Sequence, residues 1–371
     1  MNDIYKNIVL PRLIFLPYFA LYLLLIPLYL IILPLRSRTN KSRLCIESGI
    51  KGWELLEYKE LYQTAVEYLS EGQVVKISID KSKSYILQIL NAVKEYRPSH
   101  YFYDPRTVEK GSIESLLQSS TINLIFLLYG VTPIVLLTDS SVRLWRLKAA
   151  IVSQYDGIVI NFMHPSLISP IFPHSRIYGP FLMPLSIKTL ENLNLEIEKN
   201  KRESKAVFVG SLYEPRTTIL NQIKNELQKN NFDLEIKARV LGGPRISDEE
   251  YWKQIYNSSI VVTTVDQVEA DGFDWSWNKQ LVYRFLEATA SGTLLLAPYV
   301  KGSERYFKAN IDYHLYSSIE EAVEKISYFL SNPSILHEVS LSGKNKAETL
   351  IRAKTYWMQI DNALGKKGFQ I

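Results

Sequence analysis

Arg284-Phe285-Leu286-Glu287-Ala288-Thr289-Ala290-Ser291-Gly292-Thr293-Leu294-Leu295-Leu296-Ala297-Pro298 decides how this chain of 371 residues is read. A helical pattern, taken from 279 to 290, runs into Ser291-Gly292. Gly292 suits a left-handed helix cap. An unbroken apolar run follows at once and stops at Pro298, as a strand buried on both faces would. Glu287 lies three residues after Arg284 and four before Ser291, so the three share one helical face. A helix feeding directly into a buried strand is half of a βαβ unit, and such units build parallel sheets covered by helices.

The same alternation continues on both sides. Strand patterns at 206–210, 234–241, 259–265, 293–297 and 313–316 are separated by helical patterns at 215–230, 248–257, 279–290, 318–331 and 334–350. Upstream, strands are expected at 44–47, 74–79, 100–103, 133–138 and 157–161, with helices at 53–70, 82–96, 112–129 and 140–154. The proline-rich stretch 165–184 reads as loops, and 186–204 as a polar helix plus linker. The expected organisation is a membrane anchor and basic flank at 1–43, a Rossmann-like domain at 44–204, a second at 205–352, and a terminal helical segment at 353–371. The fold class is α/β. Two doubly wound domains are expected to face a cleft, with ligands at the carboxyl ends of the strands.

Two clusters carry chemistry. In Phe208-Val209-Gly210-Ser211-Leu212-Tyr213-Glu214-Pro215-Arg216, a strand ends at Gly210 and a helix begins near Pro215. Small residues before a helix N-terminus let backbone amides approach a diphosphate, and Arg216 can add a bidentate contact. The plainer reading is a strand-turn-helix with a surface arginine. No GxGxxG fingerprint is present, so a nicotinamide cofactor is not favoured, and no cofactor is expected. In the second cluster Glu287 can accept from both ribose hydroxyls of a nucleotide. The plainer reading is an Arg284–Glu287 ion pair on the surface, which would contribute little.

These residues resemble the signature of GT-B glycosyltransferases, and in particular the CgeB-like group of glycosyl transferases family 1. The resemblance rests on Phe208–Ser211 with Arg216, on Arg284-Phe285-Leu286-Glu287-Ala288 with Ser291-Gly292, and on the tail 317–333 followed by Ser342-Gly343 and Tyr356-Trp357. Leu286 is one residue more than the family pattern has between its Phe and its Glu. The resemblance implies a GT-B fold and a metal-independent glycosyltransferase with a nucleotide-sugar donor. Its donor-binding residues would be Gly210, Ser211, Arg216, Lys279, Arg284, Glu287, Ser291 and Gly292, with Glu287 on the ribose. Its last helix would return to the N-terminal domain. Many retaining members carry a second glutamate where this chain has Lys279, which leaves retention and inversion both open. An inverting enzyme would take its base from the carboxyl end of an N-terminal strand: Asp139 first, then Asp104 and Glu47. Asp139 also fits a helix N-cap. The stretch 269–277 holds Asp271, Asp274, Trp275 and Trp277, and reads as an aromatic loop rather than a metal motif.

Composition bounds the partners. The net charge of +5 is too small to argue for nucleic acid, and the single cysteine excludes an intrachain disulfide. Residues 13–35 carry no charge and are long enough to span a bilayer, though Pro17 and Pro27 would kink a helix there. Arg36, Arg38, Lys41 and Arg43 follow directly. Cationic flanks stay on the cytoplasmic side, so the expected location is the membrane, by a spanning or re-entrant anchor, with the body in the cytoplasm. A glycan or lipid-linked acceptor fits that location. A UDP-sugar epimerase and a non-catalytic nucleotide-sugar-binding scaffold are the alternatives.

Overall fold

The computed structural model describes residues 41–48, 56–80, 82–106, 112–138, 143–155, 157–172, 175–199, 202–240, 246–265, 279–350, 352–365 and 368–369, and the isolated positions 20, 23, 26, 27, 30 and 31. The chain divides into two compact units. The first is Met1–Phe181 with Trp357–Ile371, and the second is Leu182–Tyr356.

In the first unit the strands are β1 (Lys41–Ser48), β2 (Val74–Ser78), β3 (Pro98–Tyr103), β4 (Thr132–Leu137), β5 (Ile158–Asn161) and β6 (Arg176–Tyr178). They form one parallel sheet in the order β2-β1-β3-β4-β5-β6. β4 and β5 are buried at every position, which explains their unbroken apolar sequences. The helices α1 (Leu56–Leu69), α2 (Tyr85–Tyr96), α3 (Ser112–Tyr129) and α4 (Arg143–Val152) connect the strands. β6 lies within 165–184, which the sequence presents as loops. With three residues between prolines and bends, it has too little alternation to reveal a strand. The chain adds strands to one side of β1 and then, from β3 on, to the other, so its progression across the sheet reverses between β1 and β3. The carboxyl ends of those two strands are therefore the switch point where doubly wound folds bind ligands.

The second unit repeats this topology. β7 (Glu203–Leu212), β8 (Leu234–Val240), β9 (Ser258–Val262), β10 (Leu294–Ala297) and β11 (His314–Leu315) are ordered β11-β10-β9-β7-β8, all parallel. Its switch point lies between β7 and β9. The helices are α5 (Ile187–Lys199), α6 (Arg216–Lys229), α7 (Asp248–Tyr256), α8 (Arg284–Ala290), α9 (Ile319–Ser331) and α10 (Pro333–Leu350), while α11 (Ala353–Leu364) belongs to the first unit from Trp357 on. Two cores sandwich the sheet. Val207, Val209, Val261 and Leu295 face α7, α8 and α10, while Ala206, Phe208, Ile260 and Leu296 face α6 and α9. The alternation of side chains along each strand produces this division.

Two expected boundaries move. Leu193 is buried in the core of the second unit, with Leu190 and Ile197 packed against it. The whole of α5 therefore belongs there, and the units divide at Phe181/Leu182, not near 204. The polar composition of 186–204 hides an apolar stripe spaced three and four residues apart. At the other end Trp357 is fully buried in the first unit. Its indole N–H donates to Thr64 Oγ1 at 3.2 Å, and its ring meets Phe102 edge-on at 6.0 Å. Tyr178 Oη donates to Gln359 Oε1 at 2.6 Å, and the Arg176 guanidinium donates to the carbonyl of Ala363 at 3.1 Å.

Among the described residues, no helix is long and apolar enough to cross a membrane. The expected anchor at 13–35 lies outside the described residues except for its few isolated positions, of which Leu23, Leu30 and Ile31 are exposed.

Candidate functional site

β7 brings the first cluster to the switch point of the second unit. Gly210 has φ +151°, and a Cβ there would sit 3.3 Å from Arg284 Nη2 and 3.3 Å from the Phe208 ring. A side chain at 210 would meet both backbone strain and a crowded guanidinium. One residue on, the Ser211 carbonyl accepts from Arg216 Nη1 at 3.1 Å. Arg216 Nε donates to Thr264 Oγ1 at 2.7 Å, and its guanidinium lies 4.3 Å from the centre of the Tyr213 ring. Arg216 thus ties the end of β7 to the residues after β9, across the switch point. It also opens α6, whose N-terminus has no side-chain cap and whose Thr217 N–H donates to the Tyr213 carbonyl at 3.0 Å.

The second cluster packs against the first. Arg284 is the first residue of α8, so the expected start of that helix at 279 moves five residues on. Lys279 is half-buried ahead of it. Arg284 Nη2 donates to the Val209 carbonyl, and Nη1 to Tyr251 Oη. Nη1 also lies 3.2 Å from Glu287 Oε2, with the two side chains 12% and 5% exposed, so this ion pair is not a surface feature. Tyr251 Oη donates to Glu287 Oε2 at 2.7 Å, and the Tyr251 ring lies 5.2 Å from the Arg284 guanidinium. Burial opposes the Arg284 charge, but Tyr251 and Glu287 outweigh it and raise the guanidinium above its usual value. The Nε–H of Arg284 is buried without a partner. Tyr251 and Thr264 complete the site and escape a reading of the sequence. Tyr251 sits on α7, 36 residues from Glu287, in a helix whose sequence reads as ordinary amphipathic surface.

Ser291 and Gly292 lie at the other end of α8. Ser291 is fully buried and its hydroxyl donates to the Glu287 carbonyl at 2.7 Å. Gly292 has φ +62°, and its N–H donates to the Thr289 carbonyl at 2.8 Å, closing the helix as a left-handed cap. Arg202 donates to the carbonyls of both. That end of the helix presents carbonyl oxygens, which attract cations and not phosphate.

The first unit has its own polar centre at the β1/β3 switch point. Glu47, at the carboxyl end of β1, is 1% exposed. It accepts from Tyr85 Oη at 2.5 Å, Tyr101 Oη at 3.0 Å and the Asp104 N–H at 3.3 Å. Burial first, and the Glu47 charge second, push both phenols well above their usual value, so they remain donors. Three donors therefore converge on this one buried carboxylate. Asp104 is fully buried and paired with Arg106, at 3.1 Å from each of two guanidinium nitrogens. Asp139, Asp271, Asp274, Trp275 and Trp277 lie outside the described residues. Among the described residues, no group of three or more His, Cys, Asp or Glu side chains could hold a metal ion.

Residues 201–363 match the model of a family described as glycosyl transferase-like. No curated protein matches the chain. The fold is that of solved GT-B glycosyltransferases. It is similar to HepE from Anabaena, solved with UDP and glucose, at a TM-score of 0.54 and 9% identity over 87% of this chain and 99% of that one. It is similar to AviGT4, a glycosyltransferase involved in avilamycin A biosynthesis, at 0.55 and 9% over 85% of this chain and 90% of that one. A glycosyltransferase from Rickettsia africae ESF-5 gives 0.53 and 9% over 89% and 100%.

Proposed function

We propose that this protein, whose residues 201–363 match a glycosyl transferase-like family, moves a sugar from a nucleotide-sugar donor to a glycan or lipid-linked acceptor at a membrane. The buried Arg284–Glu287–Tyr251 cluster, pressed against Gly210 beside the β7/β9 switch point, carries this reading. A nucleotide placed there meets a carboxylate able to take its ribose hydroxyls. Its diphosphate meets the α6 N-terminus and Arg216. As the leaving diphosphate gains charge, fixed cations and amides stabilise it without reorganising. A UDP-linked sugar is the first donor to test, because the similar HepE was solved with UDP-glucose.

Ser291 and Gly292 serve the site by ending α8 and so fixing Glu287. Lys279 stands as a further diphosphate ligand. Glu47 acts as a positioning carboxylate, which leaves Asp139, just after β4, as the base for an inverting transfer. The uncharged run 13–35 and the basic residues after it favour a membrane anchor with the body on the cytoplasmic side.

A thermal-shift screen of UDP-, GDP-, ADP- and CMP-linked sugars on the full-length protein tests the reading. One base class should stabilise the fold, by about 2.7 kcal/mol at 100 times its dissociation constant. No shift with any of them would contradict it.

A further inference from the structure

β8 (Leu234–Val240) is the end strand of the five-stranded sheet in the second unit. β7 pairs with one of its edges, and among the described residues no strand pairs with the other. An open edge carries unpaired N–H and C=O groups, and proteins commonly guard it with a lysine. Lys237 stands in that place here, with its side chain 41% exposed. Glu235, its neighbour on the same face, alters the outcome, because the two together make the edge complementary to itself.

The faces of β8 differ. Leu234, Ile236 and Ala238 stand in register with Ala206, Phe208 and Gly210 of β7. Leu234 lies in the core beneath α6 and α9, Ile236 packs half-buried against that core, and Ala238 is exposed. On the opposite face Glu235 and Lys237 stand in register with Val207 and Val209, and Lys237 Nζ meets Glu235 Oε1 at 2.5 Å. Lys205 reaches Glu235 Oε2 at 2.8 Å. Hydrogen bonds from Lys205 first, and Lys237 second, hold the Glu235 carboxyl below its usual range, so it is charged at neutral pH.

A second copy that meets this edge about a two-fold axis runs antiparallel to it. With the axis at Ile236, Glu235 of each copy falls opposite Lys237 of the other. Ile236 then faces Ile236, and Leu234 faces Ala238. Directly opposed side chains lie about 4.5–5.5 Å apart, where opposite charges stabilise the pair and like charges weaken it. The two glutamates and two lysines alternate in sign around the axis. Neighbouring registers lose this match. An axis at Glu235 or Lys237 sets like charges face to face, and a slip of one residue turns charged side chains against apolar ones. Parallel pairing of two copies in register opposes like charges at both positions.

We propose that the protein forms a homodimer in which two β8 strands pair antiparallel about Ile236, joining the two five-stranded sheets into one. The contact uses the side edge of the sheet, so the β7/β9 switch point with Gly210 stays outside it and each copy keeps its own candidate site. This dimer does not depend on which reaction that site performs.

Sedimentation velocity of full-length protein in detergent micelles should show a dimer. Glu235→Lys and Lys237→Glu each set like charges opposite one another at both crossings, and should weaken self-association about tenfold. An equimolar mixture of these two single variants should associate again as a heterodimer. The double variant, carrying both reversals in one chain, should self-associate like the parent. That recovery separates a contact between copies from a folding defect, because the double variant does not restore the bond to Lys205. Ile236→Cys places a thiol on the axis, where opposed Cα atoms lie about 4.5–5.5 Å apart, within disulfide reach. Mild oxidation should cross-link Ile236→Cys and not Ala238→Cys, whose two copies lie far from the axis. The native Cys45 is buried and should give no background. A monomer at about 100 µM would overturn the proposal. So would a dimer indifferent to both single reversals, a mixture that stays dissociated, or oxidation that fails to link Ile236→Cys.

Discussion

Replacing Glu287 by Gln should separate its folding role from its binding role. The substitution keeps the shape and one acceptor oxygen for Tyr251 Oη, but it removes the counter-charge 3.2 Å from Arg284 Nη1. Breaking a buried ion pair by removing one charge costs about 3–5 kcal/mol. Here Arg284 retains the Val209 carbonyl and the Tyr251 hydroxyl, so the lower part of that range is expected, about 3 kcal/mol. In a unit of this size that corresponds to a fall in Tm of about 6–12 °C. Binding should lose a further, independent increment. A ribose hydroxyl donating to an amide oxygen in place of a carboxylate forfeits the charge assistance, about 1.4 kcal/mol or tenfold in UDP affinity. Calorimetry with UDP and 2′-deoxy-UDP, run well below the variant's Tm, reads the second effect free of the first. The parent should lose about tenfold on going to 2′-deoxy-UDP, and the variant should lose little more, because one shared contact is removed twice. Additive losses would show that Glu287 never touches the ribose. A lower Tm with unchanged affinity would reduce it to a partner for Arg284.

Arg216→Ala should weaken nucleoside diphosphate binding about 10- to 100-fold while nucleoside binding stays nearly constant; equal losses in the two titrations would make Arg216 only the tie between Ser211 and Thr264. Full-length protein should sediment with membranes and resist carbonate extraction because of the uncharged run 13–35, and recovery in the soluble fraction would exclude an anchor. Burial, followed by the Lys325 charge, lowers the His314 imidazole to about 4 from 6.5, so the unfolded chain binds the extra proton and stability should fall as pH drops from about 6.5 to 4. His314 is only half-buried, so the change should be about 1–2 kcal/mol, and urea unfolding of His314→Gln should show a flatter profile across that window.

The parallel α/β architecture was legible because its signals are local. Apolar runs such as 133–137 and 294–297, short and bounded by turn residues, fit strands buried on both faces, and Gly292 ends α8 where a left-handed cap is required. Glu287 and Arg284 were legible as a helical pair, but their burial was not. The side chains that enclose them, Tyr251 from α7 and the Val209 carbonyl from β7, come from distant sequence and carry no mark of their own. Arg216 showed the same limit. Its position at a helix start was readable, and its bridge to Thr264, 48 residues away, was not.

The central claim, transfer of a sugar from a nucleotide, is tested most directly by mass-spectrometric time courses of full-length protein in membranes with the donor that the thermal screen selects. The account predicts nucleoside diphosphate release matched one-for-one by a product heavier by one sugar, and a drop of at least tenfold in kcat/KM for Glu287→Gln. Tight nucleotide binding with no glycosylated product, or an isomerised nucleotide sugar formed without any acceptor, would contradict it.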